Sequence, residues 1–145
     1  MRCGPERNPK GIVRDDDLVY LTTEWLDASF SSETDVDTFY YTATYDGWHA
    51  VETMVEDDEN PDTVVEVYDS EGVFKGYNDD YDFNTYESYF EFEAVEGKTY
   101  TIYVFEYYNW PGSDYEVDLD SYEGSEGIGI GGGLLGDYKI RILWD

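Results

Sequence analysis

From Leu18 onward, apolar and polar residues alternate in short runs. Phe39, Tyr41 and Ala43 share one face of an extended chain, and Thr38, Tyr40 and Thr42 the other. Val65 and Val67 flank Glu66, which the alternation turns outward, and Phe90 and Phe92 flank Glu91. Tyr100, Ile102 and Val104 alternate with Thr101 and Tyr103. Tyr115, Val117 and Leu119 alternate with Glu116 and Asp118, and Tyr138, Ile140, Ile142 and Trp144 alternate with Lys139 and Arg141. A period of two places one face on a core and the other in water, so each run predicts a β-strand. No stretch carries the 3.6-residue period of an amphipathic helix.

Turn chemistry separates the runs: Asp46-Gly47, Asp69-Ser70-Glu71-Gly72, Glu96-Gly97 and Pro111-Gly112. Short punctuated strands predict an all-β fold, an antiparallel sandwich or barrel. Residues 55–62 (VEDDENPD) read as a long acidic loop. Residues 124–136 (GSEGIGIGGGLLG) are glycine-rich, and read either as a flexible linker or as a wide connection to the last strand. The outward Lys139 and Arg141 match Glu116 and Asp118 in charge, so the strands at 115–119 and 138–144 are expected to be neighbours in one sheet.

The chain has 145 residues, which suits one domain. Residues 1–14 hold Arg2, Arg7, Lys10 and Arg14 among Pro5, Pro9, Gly4 and Gly11, and read as a basic tail or linker. The sandwich is assigned to residues 15–122, and residues 123–145 to a glycine-rich segment plus a final strand of the same domain. Aromatic residues make up 19%, with 16 Tyr, 7 Phe and 4 Trp. Disordered acidic chains lack such residues, so a packed core is expected.

Charge narrows the function. There are 35 Asp and Glu against 8 Lys and Arg, a formal net charge of −27. Between residues 15 and 138 the basic residues are Lys75 and Lys98 alone. Nucleic acids and anionic lipids require positive charge facing phosphate, so both are excluded as expected partners. Divalent cations, basic partners or a saline milieu are favoured instead. The single cysteine, Cys3, precludes an internal disulfide, and no apolar run approaches the ~18 residues of a membrane span. Arg2, Cys3, Gly4 and Pro5 after Met1 are no signal peptide, so the chain is expected to be either intracellular or a piece of an exported protein.

Several motifs together resemble one family. The run Asp35-Val36-Asp37-Thr38-Phe39-Tyr40-Tyr41, followed by Asp46-Gly47, is similar to the Asp-x-Asp-x-(Phe/Tyr) opening of bacterial pre-peptidase C-terminal domains. Val65-Glu66-Val67-Tyr68-Asp69-Ser70-Glu71-Gly72 resembles that family's strand and turn, and Asn78-Asp79-Asp80 falls where it often carries an acidic pair. Residues 96–104 and 112–119 resemble its Gly-x-Tyr-x-Ile-x-Val and closing Gly-x-Tyr-x-Leu strands. The likeness covers about residues 18–122, and the collagen-binding domains of clostridial collagenases are relatives with a similar Asp-x-Asp-Thr-Phe run. It implies a jelly-roll-like β-sandwich of about eight strands. It also implies a non-catalytic accessory module of secreted hydrolases, with some members binding calcium and some collagen. Residues 123–145 exceed the simple pattern.

Calcium takes six to eight oxygen ligands. Two clusters have suitable spacing: Glu33, Asp35 and Asp37, and Asn78, Asp79, Asp80, Asp82 and Asn84. The second imitates the start of an EF-hand loop, but Thr85 stands where glycine is needed, so a β-loop site is the better reading. The metal candidates are Asp35, Asp37, Asp79, Asp80 and Asp82, and the resemblance adds Asp15, Asp16 and Asp17 as an N-terminal contribution. Solvated acidic loops without a bound ion are the alternative.

Catalysis is not expected. His49 is the lone histidine and lies in a strand pattern, where it reads as structural or surface-exposed. There is no Gly-x-Ser-x-Gly elbow, zinc pair or phosphate loop. Tyr107, Tyr108 and Trp110, an aromatic loop before Pro111-Gly112, are the candidates for ligand contact, as rigid amphipathic anchors for sugar or peptide. The expected function is therefore a monomeric, calcium-stabilised accessory module of an exported or cell-surface protein, binding an extracellular protein or polysaccharide. Two alternatives stand beside it. One is a purely structural domain of a salt-adapted protein, cytoplasmic or exported, and the other a carbohydrate-binding jelly roll.

Overall fold

The computed structural model describes residues 18–56, 61–79, 87–114 and 116–143. Eight strands occur among them: β1 (Leu26–Phe30), β2 (Asp37–Thr42), β3 (Gly47–Met54), β4 (Thr63–Tyr68), β5 (Phe74–Asn78), β6 (Tyr89–Ala94), β7 (Thr99–Glu106) and β8 (Gly136–Ile142). The helical content of the described residues is confined to three 3-10 turns, at Tyr107–Asn109, Pro111–Ser113 and Leu119–Ser121.

The strands form two four-stranded sheets, β1-β8-β3-β6 and β2-β7-β4-β5. Every strand pair is antiparallel. Successive strands change sheet at every connection except β4–β5. That is the strand order of an eight-stranded jelly roll, as the resemblance implied. The β4–β5 connection is a hairpin whose turn is the expected Asp69–Gly72. Asp69 Oδ1 accepts from the amides of Glu71 and Val73, and Gly72 takes φ +82°, which a side chain disfavours.

The inward faces follow the alternation in the sequence. Phe39 and Tyr41 of β2, Ile102 and Val104 of β7, and Tyr138 and Ile140 of β8 all lie in one buried core. One edge of the second sheet is covered by the preceding chain: Leu21 N donates to the Tyr40 carbonyl and Tyr40 N to that of Val19. This satisfies backbone groups that an edge strand would otherwise expose to other chains.

Two sequence expectations are corrected. Residues 116–121 form a turn, a bend and a 3-10 turn instead of a strand, so among the described residues no strand at 116–119 pairs with β8. β8 runs between β1 and β3, and its basic residues find acids there. Lys139 pairs with Asp27, and Arg141 Nε donates to Glu52 at 2.7 Å while its guanidinium lies 4.2 Å from the Trp25 ring centroid. The second correction concerns Glu66. It does face away from Val65 and Val67, but it is fully buried, because Trp110, Tyr122 and Ser125 close over the outer side of its sheet. All six residues of β4 are buried in consequence.

Candidate functional site

The cover over the outer face of β2-β7-β4-β5 is built on three buried polar side chains, Glu66, Asn109 and Glu106. Glu66 Oε1 accepts from the Tyr68 hydroxyl, the Ser125 hydroxyl and Ser125 N, at 2.8, 2.8 and 3.0 Å. Its Oε2 accepts from Trp110 Nε1 at 2.7 Å and from the Tyr122 hydroxyl at 2.5 Å. Five donors compensate the removal of this carboxylate from water. Burial, together with the neighbouring Glu66, pushes the ionisation of the Tyr122 and Tyr68 phenols upward, so both remain donors.

Asn109 supplies the second anchor. Its Oδ1 accepts from Gly131 N at 2.6 Å, its carbonyl from Ile130 N at 3.0 Å, and its Nδ2 donates to the Asp35 carbonyl at 3.2 Å. Glu106 supplies the third. Its Oε1 accepts from Tyr108 N and Leu134 N, both at 3.0 Å, and its Oε2 from Asp62 N at 3.3 Å. The glycine-rich segment is thus a strap fixed at Ser125, Ile130, Gly131 and Leu134. It connects the 3-10 turns to β8, which selects the wide connection over the flexible linker.

Glycine is required there for close approach. A Cβ on Gly127, which has φ +82°, would lie 2.6 Å from the Tyr103 ring, and one on Gly129 would lie 2.4 Å from the Asn109 amide. The alternating residues Glu126, Ile128 and Ile130 are exposed. The strap therefore puts glycine against the sheet and aliphatic side chains into solvent, the reverse of an ordinary amphipathic strand.

The aromatic trio divides. Tyr108 is exposed, Tyr107 is half-buried, and Trp110 is 2% exposed. Trp110 packs against Tyr77 and Tyr122, and a Cβ at Gly112 would come 2.3 Å from its ring. As a ligand contact Trp110 is corrected to a buried element of the strap's foundation, and Tyr108 is the member of the trio open to a partner. The aliphatic residues beyond the strap's glycines escaped sequence reasoning. The signal available was the Ile-Gly-Ile-Gly alternation, which reads as looseness until the buried partner of the glycines is known.

The acidic candidates also divide. Asp35 Oδ2 accepts from Ser31 N at 2.9 Å and from the Ser31 hydroxyl at 3.2 Å. Asp37 receives the hydroxyl of Tyr138, which reaches across from the other sheet, at 2.5 Å. Burial, reinforced by the adjacent Asp35 carboxylate and opposed by the Tyr138 bond, pushes the Asp37 carboxyl up to about 8. Asp79 belongs to the opposite edge. Asp37, Val104, Val65 and Asn78 form one row across four strands, so Asp37 and Asn78 stand about 14 Å apart. Asp35 and Asp79 cannot share an ion. The Asp35–Asp37 pair supplies two carboxylates, fewer oxygens than calcium coordination needs, and no group of three or more His, Cys, Asp or Glu side chains suited to a metal occurs among the described residues. Asp80 and Asp82, the Asp15–Asp17 run, Cys3 and the basic 1–14 segment lie outside the described residues.

His49 is fully buried. Its Nδ1 lies 3.0 Å from the Gly47 carbonyl, and its ring stacks on Tyr45 with centroids 4.1 Å apart. It is the structural histidine of the two readings.

No protein-family model and no curated protein matches the chain. Among solved structures it is similar to the pre-peptidase C-terminal domain of collagenase from Bacillus anthracis, at a TM-score of 0.49 and 12% identity, covering 90% of this chain and 99% of that one. It is also similar to Aeromonas hydrophila PliG, a periplasmic lysozyme inhibitor of g-type lysozyme, at a TM-score of 0.44 and 14% identity, covering 86% and 96%. The family named from the motifs is thus represented among the similar structures. Neither likeness carries a function over to this chain. No helix of the described residues is long and apolar enough to cross a membrane.

Proposed function

We propose that this chain is a non-catalytic jelly-roll module of an exported or cell-surface protein, and that it binds an extracellular protein or polysaccharide through the strap-covered face. The observation that supports this reading is the strap itself. Three buried polar anchors hold a segment whose exposed side chains beyond Glu126 are apolar, in a chain with a formal net charge of −27. Contiguous exposed apolar surface is characteristic of interaction sites. Buried carboxylates here are engaged by N–H and O–H donors, which suits anchoring rather than acid–base chemistry.

The test is retention of the purified chain on a panel of immobilised extracellular-matrix proteins and insoluble polysaccharides. Specific retention that free ligand competes away is expected. Failure to bind any member in both low and physiological salt would leave the salt-adapted structural domain as the better reading. That second reading has its own support in the net charge of −27, which repels itself at low ionic strength.

Calcium enters the proposal through the Asp35–Asp37 pair, with main-chain carbonyls and water supplying the remaining oxygens. An ion there would compete with the proton that Asp37 carries at neutral pH. Millimolar calcium is expected to raise the melting temperature beyond NaCl of equal ionic strength, and to release a proton in calorimetry. Equal shifts with both salts would remove calcium from the proposal and leave the binding face untouched.

A further inference from the structure

We infer that the outward side of the strap docks a cationic polypeptide, one that presents an apolar ridge bordered by Lys and Arg. This rests on the reading above and names the partner class for that face. The main chains that carry its apolar side chains are neighbours. Tyr108 N and Leu134 N meet the same oxygen of Glu106, so these two residues stand side by side. Ile130 N bonds to the carbonyl of Asn109, the next residue after Tyr108. Ile128 lies two residues before Ile130 on the same side, and Leu135 follows Leu134. Ile128 is 68% exposed, Tyr108 57% and Leu135 53%.

The face is also preorganised. Its main chain is held by buried side chains at Ser125, Gly131 and Leu134 and by the Asn109 carbonyl at Ile130, so little ordering entropy is lost when a partner arrives. Gly124 and Gly127 make the close approaches to the sheet, at Tyr68 and Tyr103, while Ile128 and Ile130 are 68% and 56% exposed.

Charge selects the occupant. Three acids flank the strap. Gly133 N bonds to the Glu33 carbonyl, Asn109 Nδ2 to that of Asp35, and Glu126 is exposed at the start of the strap. Three of the four basic residues described are elsewhere. Lys139 and Arg141 are paired on the other sheet, and Lys98 sits at the far end of β7, about 26 Å from Glu106. Lys75 is on the edge strand β5. An apolar centre with an acidic rim favours a partner with the opposite rim. A second copy of the chain would bring a further charge of −27 against this one, and anionic membranes are opposed for the same reason.

The probes are three synthetic dodecapeptides of alternating Lys-Leu, Glu-Leu and Lys-Ser. Their binding to the full chain is measured by fluorescence anisotropy at physiological salt. The variants are the triple change Ile128→Ser, Ile130→Ser, Leu134→Ser, and a control, Val73→Ser with Val95→Ser, which removes exposed apolar residues elsewhere. Both preserve net charge, and circular dichroism with thermal melting verifies their folding. The Lys-Leu peptide is expected to bind wild type and control alike, and to lose at least tenfold in affinity for the triple variant. The Lys-Ser peptide should bind all three equally weakly, and the Glu-Leu peptide none. Equal affinity of the Lys-Leu peptide for wild type and triple variant would overturn the inference. So would a wild-type dimer in sedimentation equilibrium that the triple variant abolishes, since the strap would then be covered by its own copy. Retention on a polysaccharide without any peptide binding would overturn this inference and keep the proposed function. Absence of both would remove both.

Discussion

Replacing Glu66 by Gln changes one atom and keeps the shape, so it isolates the anchoring of the strap. The amide can accept at one oxygen only and presents N–H donors at the other position. If the NH2 turns toward Oε2's neighbours, it meets Trp110 Nε1, a donor that cannot accept. If it turns the other way, it meets the amide N–H of Ser125, under the same restriction. Each orientation leaves one buried N–H opposite another. An unsatisfied buried donor costs about 1–3 kcal/mol, and hydrogen bonds to a charged acceptor contribute more than those to a neutral one. Together these give about 3 kcal/mol of destabilisation for E66Q. In a chain of this length 1 kcal/mol moves the melting temperature by about 2–4 °C, so a decrease of roughly 6–12 °C is expected. Scanning calorimetry on wild type and E66Q at one pH and salt concentration is the assay. A decrease of less than about 2 °C would refute the reasoning, because it would mean that Glu66 remains solvated and the cover over β4 is not in place.

Three further outcomes follow from the geometry. Gly127→Ala, with φ +82° and Tyr103 at 2.6 Å, is expected to destabilise by about 2–4 kcal/mol, whereas Gly132→Ala, with φ +91° and nothing within 4 Å, should lose only about 1–2 kcal/mol of backbone preference, as urea titration will measure. Asp37 has a folded value of about 8 against an unfolded value of 3.8, so the native state binds the extra proton between them; its contribution is full below pH 4 and is lost as pH rises toward 8. Against wild type, Asp37→Asn should therefore gain at least ~2 kcal/mol in relative stability between pH 4 and 8, followed by urea titration at each pH; a difference that does not change with pH would exclude a buried proton. Arg141→Ala, which removes both the Glu52 bond and the contact with Trp25, should lower the melting temperature measurably, while Lys139→Ala, whose partner Asp27 is highly exposed, should leave it unchanged.

The strands of the jelly roll were readable because one face of each meets a common core, and period-two burial depends only on neighbours in sequence. Phe39 and Tyr41, Ile102 and Val104, and Tyr138 and Ile140 show this directly. β1 and β5 were not evident. β5 carries Gly76 opposite Phe90 and a register shift beside Val67, both of which disturb a simple alternation. The alternation at 115–119 misled for the opposite reason, since residues 116–119 have no strand beside them to complete a ladder. The deeper failure concerned the outer sheet face. Alternation shows that Glu66 opposes Val65 and Val67, but not that Trp110, Tyr122 and Ser125, some 44–59 residues later, close over it. A polar residue facing away from one core can serve a second, and only its distant partners reveal which. The same long-range dependence hid Trp110 as foundation and the strap's aliphatic residues as surface. The Asp35–Asp37 pair was legible from spacing alone, yet the proton held by Asp37 depends on its burial between the sheets, which the hydroxyl of Tyr138, 101 residues away, opposes by donating to the carboxylate.

The most direct measurement is amide hydrogen exchange across residues 124–135, followed by NMR at neutral pH and physiological salt. Ser125, Ile130, Gly131, Gly133 and Leu134 each donate to a fixed acceptor and should exchange orders of magnitude more slowly than an unfolded chain, at rates comparable to the strand amides beneath them. Exchange at unfolded rates throughout this glycine-rich stretch, with the strands still protected, would show a loose linker in place of a fixed binding face.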